Sequence, residues 1–365
     1  MESPCGEIKC RDVNDLATYF DWLAKETPTT WWHDSANPDE IDRAKTMGAQ
    51  GVTTNPVLTF KTFEAQPDYW AKGVNSVPEE LEMGARAEAL LNLVATDAAA
   101  KFRDVFDATG GRHGLALGQL NPGLAGNAEG MKAQAERIHS WAPNIAIKLP
   151  ATAAGVEVVE YLAERAIPIC ATINVSVAQA IAVAEAYERG RKKALASGVS
   201  PALCLVVQQM GRLDDYIRDV AADMKADVSE EDITWCGTAM TKRTYGIFVE
   251  RGYNSVIMPA GLRGSYHVTE LAGADLTFSI HPRVQNMLLE DNPAREVLIN
   301  RPVPADTLDR LMRIPEFVRA YEPDGLRHQE FITFGVTQKL LSQFMETGWA
   351  RLETYGSSQV SGRWT

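Results

Sequence analysis

Ile145-Ala146-Ile147-Lys148-Leu149-Pro150-Ala151-Thr152-Ala153-Ala154-Gly155 reads as a short apolar strand that delivers one lysine and then turns at once into a helix. Taking an ammonium group out of water disfavours its charged form. A lysine held neutral in this way is a nucleophile toward carbonyl carbon and forms a Schiff base. Read alone, the segment also fits a strand-end lysine whose stem packs while its ammonium reaches solvent. The ends of the other strands distinguish the two readings.

Outward from this segment, apolar runs alternate with amphipathic stretches. The runs are Thr30–Asp34, Gly51–Asn55, Leu115–Leu120, Ile145–Leu149, Ile167–Ile173, Leu203–Gln208, Ser255–Ala260 and Asp275–Ile280. They are short and rich in Ile, Val, Leu and Thr, as strands covered on both faces are. Helical patterns such as Val156–Arg165 and Val177–Arg189 lie between them, and this β-then-α order favours parallel pairing. Eight such runs predict a TIM (β/α)8 barrel. Residues 1–365 are expected to form one domain. Its barrel core covers about residues 28–290, with an extra N-terminal helix over Asn14–Ala24 and a C-terminal extension over 291–365. A helical insertion is expected over Glu64–Lys101. The tail from Arg301 is expected to be helix and loop packed outside the barrel, with frayed last residues.

Composition sets the remaining bounds. The 365 residues carry a formal net charge of −12, which argues against a general nucleic-acid binder and against an anionic membrane surface. Small anionic ligands need only a local cationic pocket. The five cysteines, Cys5, Cys10, Cys170, Cys204 and Cys236, are scattered and odd in number, the usage of a reducing compartment. No signal peptide and no run of membrane-spanning length is read, so the expected location is cytoplasmic. The six histidines, His33, His113, His139, His267, His281 and His328, show no paired metal spacing and are read as ordinary, with a reservation for His281 after the last strand. No metal and no organic cofactor is expected.

In a TIM barrel the chemistry sits at the carboxyl ends of the strands. In strand order, the polar residues there are Asp34; Thr53 and Asn55; Gln119 and Asn121; Lys148; Thr172 and Asn174; Gly211-Arg212; Gly261-Leu262-Arg263; and Ser279 with His281. One lysine, one carboxylate, amides, hydroxyls and two arginines converge on one mouth. That set suits a Schiff-base aldol reaction on a sugar phosphate. Simpler roles exist for several of them. Asp34 fits a cap for the helix near Pro38, Asn55 a turn before Pro56, Thr172 an ordinary strand residue, and Arg212 a surface partner of Asp214 or Asp215.

Several of these segments carry a resemblance. Ala36-Asn37-Pro38-Asp39-Glu40-Ile41 and Gly51-Val52-Thr53-Thr54-Asn55-Pro56 resemble the opening strands of the transaldolase family. Ile147-Lys148-Leu149-Pro150-Ala151-Thr152 with Gly155 resembles its Schiff-base strand, and Cys170-Ala171-Thr172-Ile173-Asn174-Val175-Ser176 the strand that follows. Gly211-Arg212 and Met258-Pro259-Ala260-Gly261-Leu262-Arg263 are similar to its phosphate-binding segments. The resemblance covers roughly residues 30 to 285 at barrel spacing.

It implies that Lys148 forms an iminium with a ketose donor and that Asp34 takes the proton from the hydroxyl of the departing carbon. Asn55 and Thr53 would hold the remaining enamine, Thr172 and Gln119 would position water, and Arg212 and Arg263 would clamp a phosphate. Asn174 and Ser279 join them as substrate-binding candidates. The implied reaction moves a dihydroxyacetone unit between sugar phosphates, with no cofactor. The implied partners are small-molecule sugar phosphates, with neither nucleic acid nor membrane; a homo-oligomer is allowed.

Four positions depart from the family pattern. Gln119 stands where its transaldolases carry glutamate and its fructose-6-phosphate aldolase branch carries glutamine. Gln209 stands in place of an aromatic ring, Gly261 in place of a serine and Cys170 in place of an asparagine. An amide orients water but does not shuttle its proton, so plain aldol cleavage and a non-catalytic sugar-phosphate-binding barrel stand as alternatives.

Overall fold

The computed structural model describes residues 18–357. Cys5, Cys10, the start of the expected Asn14–Ala24 helix and the last residues of the tail lie outside the described residues. Eight strands form one parallel sheet: β1 (Thr30–His33), β2 (Gly51–Val52), β3 (Leu115–Gln119), β4 (Ile145–Pro150), β5 (Ile169–Thr172), β6 (Cys204–Gln209), β7 (Val256–Ala260) and β8 (Thr277–Ile280). The order is β7-β6-β5-β4-β3-β2-β1-β8, and its two ends pack against each other, so the sheet curls into a TIM barrel ringed by helices.

Every expected strand is present, with shifts at the ends. Gly51–Asn55 narrows to two residues, and Asp34, Thr53 and Asn55 fall just past their strands. Their backbone stays tied to the barrel: Asp34 N–H donates to Ile280 O at 3.1 Å and Thr53 N–H to His33 O at 2.7 Å. Arg212 lies in the first turn of the helix Met210–Met224 rather than in a loop.

Alternation along the strands sorts their side chains into two layers. Trp32, Leu117, Ala146, Cys170, Leu205, Val207 and Met258 fill the barrel interior. Trp31, one residue earlier than Trp32, packs outward against Phe20 of the helix Tyr19–Glu26, with ring centroids 4.7 Å apart. That helix is the extra N-terminal one. The insertion is helical, as Pro56–Ala65, Pro67–Asn75 and Met83–Lys101. Of the tail helices, Gly335–Phe344 packs into the main core around the barrel, whereas Ala350–Thr354 packs on the insertion helices Met83–Lys101 and Pro56–Ala65.

Strand ends and helix starts share residues, which keeps the mouth compact. Asn55 caps the helix Pro56–Ala65 by accepting the Leu58 N–H at 2.9 Å, and Pro56 supplies a preset first residue. Thr152 caps Ala153–Glu164 by accepting the Gly155 N–H at 3.0 Å. Gly155 brings that helix onto the end of β4, because a Cβ there would run into the carbonyl oxygen of Pro150. Gly155→Ala is therefore expected to lower the unfolding free energy by about 1–3 kcal/mol through forced displacement. A denaturant titration with an unchanged midpoint would show that the helix has room to shift.

Candidate active site

The carboxyl ends of the strands open on a cavity of about 460 Å³. Eight of the ten residues expected from the sequence line it: Lys148, Asp34, Thr53, Asn55, Thr172, Arg212, Arg263 and Ser279. Gln119 and Asn174 do not. Gln119 is buried, and its backbone pairs with Lys148 in the β3–β4 ladder; its Oε1 has no hydrogen-bond partner among the described residues. Asn174 is fully buried at the β5–β6 junction, where its Oδ1 accepts from Gln208 Nε2 at 3.1 Å and its carbonyl accepts the Gln209 N–H at 3.0 Å. Its geometry is that of a residue tying two strands together.

Lys148 is only 4 % exposed. Its Nζ donates to the carbonyl of Thr54 at 3.3 Å. Burial holds the amine below the ordinary lysine range, against the pull of Cys170 and Asp34. Asp34 shows the mirror effect: burial raises its carboxyl above the usual range, and Lys148, His281 and Arg212 hold it back. An amine pushed toward its free base and a carboxylate pushed toward its acid share one cavity. The cap near Pro38 is supplied by Asn37, which accepts from Asp39 N–H at 3.0 Å, so Asp34 is free of that duty.

The polar wall near Asp34 is built by hydroxyls and an amide. Thr53 Oγ1 and Ser279 Oγ are 2.8 Å apart and hydrogen-bonded. Asn55 serves two ends: its Oδ1 caps the helix while the residue lines the cavity. On the opposite wall Thr172 Oγ1 accepts from Gln209 Nε2 at 3.2 Å. Thr172 is followed by Ile173 at φ +52°, a left-handed conformation that is costly for a β-branched residue. Gln179 holds that turn, donating to Ile173 O at 3.1 Å and Ala151 O at 2.8 Å and accepting the Val175 N–H at 3.0 Å.

The two arginines differ. Arg263 is engaged by Asp215, with Nη2 to Oδ2 at 2.6 Å, and its Nη1 donates to Gly261 O at 2.8 Å. Arg212 makes no hydrogen bond or ion pair among the described residues. Burial and the neighbouring Arg263 lower its pKa. Asp215 is hydrogen-bonded to Arg263, and its pull on Arg212 is electrostatic only. Beside them starts the helix Met210–Met224, whose first N–H groups have no intrahelical acceptor. A guanidinium with no hydrogen-bonded partner among the described residues thus lies beside a helix N-terminus, a pairing that suits an anion. Gly211 lets the two arginine segments meet, since a Cβ there would strike the Gly261 carbonyl and the Arg263 side chain.

Several lining residues were not singled out as ligands from the sequence. Gln209 was visible only as a departure from a pattern; its bond to Thr172 makes it part of the wall. Cys170, beside Lys148 in the β4–β5 ladder, is a thiol that burial raises to about 12. His281 lines the mouth as a helix cap, its Nδ1 accepting the Arg283 N–H at 3.2 Å. Lys61 and Arg283 add cations, and Gln343 and Phe344 reach in from the tail. No local signal marked those last two. Among the described residues no three His, Cys, Asp or Glu side chains cluster to hold a metal ion, and no helix is long and apolar enough to cross a membrane.

Gly261 sits at φ +64°, and a Cβ on it would lie 2.9 Å from Gln209 Oε1. Gly261→Ala is expected to cost about 1–3 kcal/mol of stability, read as a lowered midpoint in thermal or chemical denaturation. Full retention of stability would mean that neither the left-handed backbone nor the Gln209 placement is held.

A family model described as "Transaldolase/Fructose-6-phosphate aldolase" matches residues 31–328. A transaldolase of Thiobacillus denitrificans is 27% identical over 322 residues, covering 84% of this chain and 87% of its own length. Transaldolase 1 of Streptomyces coelicolor is 32% identical over 194 residues, 48% of each chain. A transaldolase of Neisseria gonorrhoeae is 31% identical over 170 residues, 46% of this chain and 48% of its own. With the barrel and the lysine-centred cavity, these matches establish that the chain belongs to the transaldolase/fructose-6-phosphate aldolase family and is an enzyme of that type.

Proposed function

We propose that the chain moves a dihydroxyacetone unit between ketose and aldose phosphates through a Schiff base on Lys148. The observation that carries this reading is the buried amine of Lys148 facing the cavity that also holds Asp34. Lys148 Nζ adds to the keto carbon, and loss of water gives an iminium. Asp34 takes the proton from the hydroxyl on the departing carbon. That carbon's bond to its neighbour breaks, the electron pair moves into the iminium to give an enamine, and an aldehyde leaves. The enamine then attacks a second aldehyde, and hydrolysis of the new iminium releases the product ketose.

The surroundings support a role for each neighbour. Thr53, Asn55 and Ser279 offer hydrogen bonds to the hydroxyls of the enamine. Thr172, which accepts a hydrogen bond from Gln209, would orient the water lost and regained at Lys148. Arg212, with Arg263 beside it, supplies a cationic pole for a terminal phosphate. Because the amide of Gln119, unlike a carboxylate, cannot take a proton from water and return it, release of free dihydroxyacetone is the second reading.

Borohydride trapping with a ketose phosphate tests the first step. The unaltered protein is expected to gain the mass of the reduced adduct at Lys148, and Lys148→Ala to gain none while keeping its circular dichroism. An unmodified lysine would end the Schiff-base reading. A coupled assay then separates the two outcomes: transfer requires an acceptor aldehyde, whereas cleavage yields dihydroxyacetone without one.

The pH dependence follows from the same pair. Addition to the ketone needs the free amine, so trapping speeds up as pH rises through the pKa of Lys148, which burial sets below 10.5. The negative charge of Asp34 favours the ammonium. Asp34→Asn is therefore expected to move the acid limb of the trapping rate to lower pH, even where turnover is lost. A limb that stays in place or moves upward would show that Asp34 does not act on the amine.

A further inference from the structure

Asp214 and Asp215 are neighbours on the helix Met210–Met224 and hold Arg263 in different ways. Asp215 takes its guanidinium directly. Asp214 reaches its backbone through His267, in the helix Ser265–Thr269. His267 Nε2 lies 2.9 Å from Asp214 Oδ2, and His267 Nδ1 accepts the Arg263 N–H at 3.1 Å. Asp214 Oδ1 accepts the Gly237 N–H at 2.8 Å. Both side chains are 0 % exposed, and neither lines the cavity.

Simple chemistry orders this chain of contacts. An imidazole nitrogen that accepts an N–H carries a lone pair, so the ring proton of neutral His267 sits on Nε2. A carboxyl oxygen of Asp214 lies 2.9 Å from that nitrogen, close enough to attract its proton although the two are not aligned as a hydrogen bond. Asp214 therefore selects the tautomer that the Arg263 backbone requires. The segment that benefits runs from Gly261 at φ +64° to Gly264, and a loop bounded by glycines has little conformational restraint of its own.

We propose that Asp214 and His267 are positioning residues that preset Arg263, and thereby the affinity of the mouth for a phosphorylated end. The proposal rests on reading Arg212 and Arg263 as the phosphate pole. It is independent of whether Lys148 forms a Schiff base.

Asp214→Asn tests it with almost no change of shape. An asparagine that still accepts the Gly237 N–H turns its NH2 toward His267 Nε2. The ring proton is then driven to Nδ1, where it opposes the Arg263 N–H, donor against donor. Nitrogen NMR is expected to show the His267 proton moved from Nε2 to Nδ1. Calorimetry is expected to show inorganic phosphate binding about tenfold more weakly, the scale of one hydrogen bond. Borohydride trapping of dihydroxyacetone at Lys148 should stay within about twofold.

His267→Asn, whose Oδ1 takes the place of Nδ1, should keep phosphate affinity within about threefold. Placed in the Asp214→Asn background it should restore affinity, because no tautomer remains to be selected. An unchanged His267 tautomer with unchanged phosphate affinity would overturn the proposal. So would losses that add in the double variant, or a fall in phosphate affinity matched by an equal fall in trapping. Absence of any adduct in the unaltered protein would instead count against the Schiff-base reading, with phosphate binding still deciding this one.

Discussion

The structure turns on the burial of one amine. Lys148 sits inside a strand with barrel neighbours on both sides, Gln119 across the β3–β4 ladder and Cys170 across the β4–β5 ladder. An ammonium there has lost most of its water, and a single carbonyl contact replaces little of it. Two features keep that position tolerable: the cavity above it and the carboxylate of Asp34 sharing that cavity. The parallel register makes the arrangement possible, since it brings the ends of eight strands to one side of the barrel.

Around that amine the mouth divides into a hydroxyl-rich side and a cationic side. Thr53 and Asn55 follow β2 and Ser279 lies in β8, while Arg212 and Arg263 follow β6 and β7. Consecutive carboxylates on one helix serve Arg263, one through its side chain and one through an intervening imidazole. Arg212 forms no side-chain ion pair of its own among the described residues and feels Asp215 and Asp34 only at a distance, although the chain as a whole is strongly acidic. Local pairing, not net charge, sets the field that a ligand meets.

Much of this was legible in the sequence. Continuous apolar runs separated by amphipathic stretches report strands covered on both faces, and that pattern located all eight strands. Polar residues at the strand ends gave most of the cavity wall, because strand ends and the mouth coincide in this architecture. Asn174 lies off the cavity although it follows Thr172 with the same strand-end placement; the left-handed turn at Ile173 lies between the two. Gln119 lies at the correct strand end, beside Lys148, yet does not line the cavity. Gln343 and Phe344 come from the tail, with nothing in their local pattern to bring them to the mouth.

By itself the chain determined its periodicity, its helix caps and the strand position of Lys148, because these depend on neighbours a few residues away. Only the tertiary structure decided which carboxylate pairs with which arginine, that Gln209 grips Thr172, and that His267 stands between Asp214 and the Arg263 backbone. Of those choices, all but the short Arg263–His267 contact join segments about 35 to 55 residues apart. They are settled by differences of an ångström or so, the range over which hydrogen bonds form or fail.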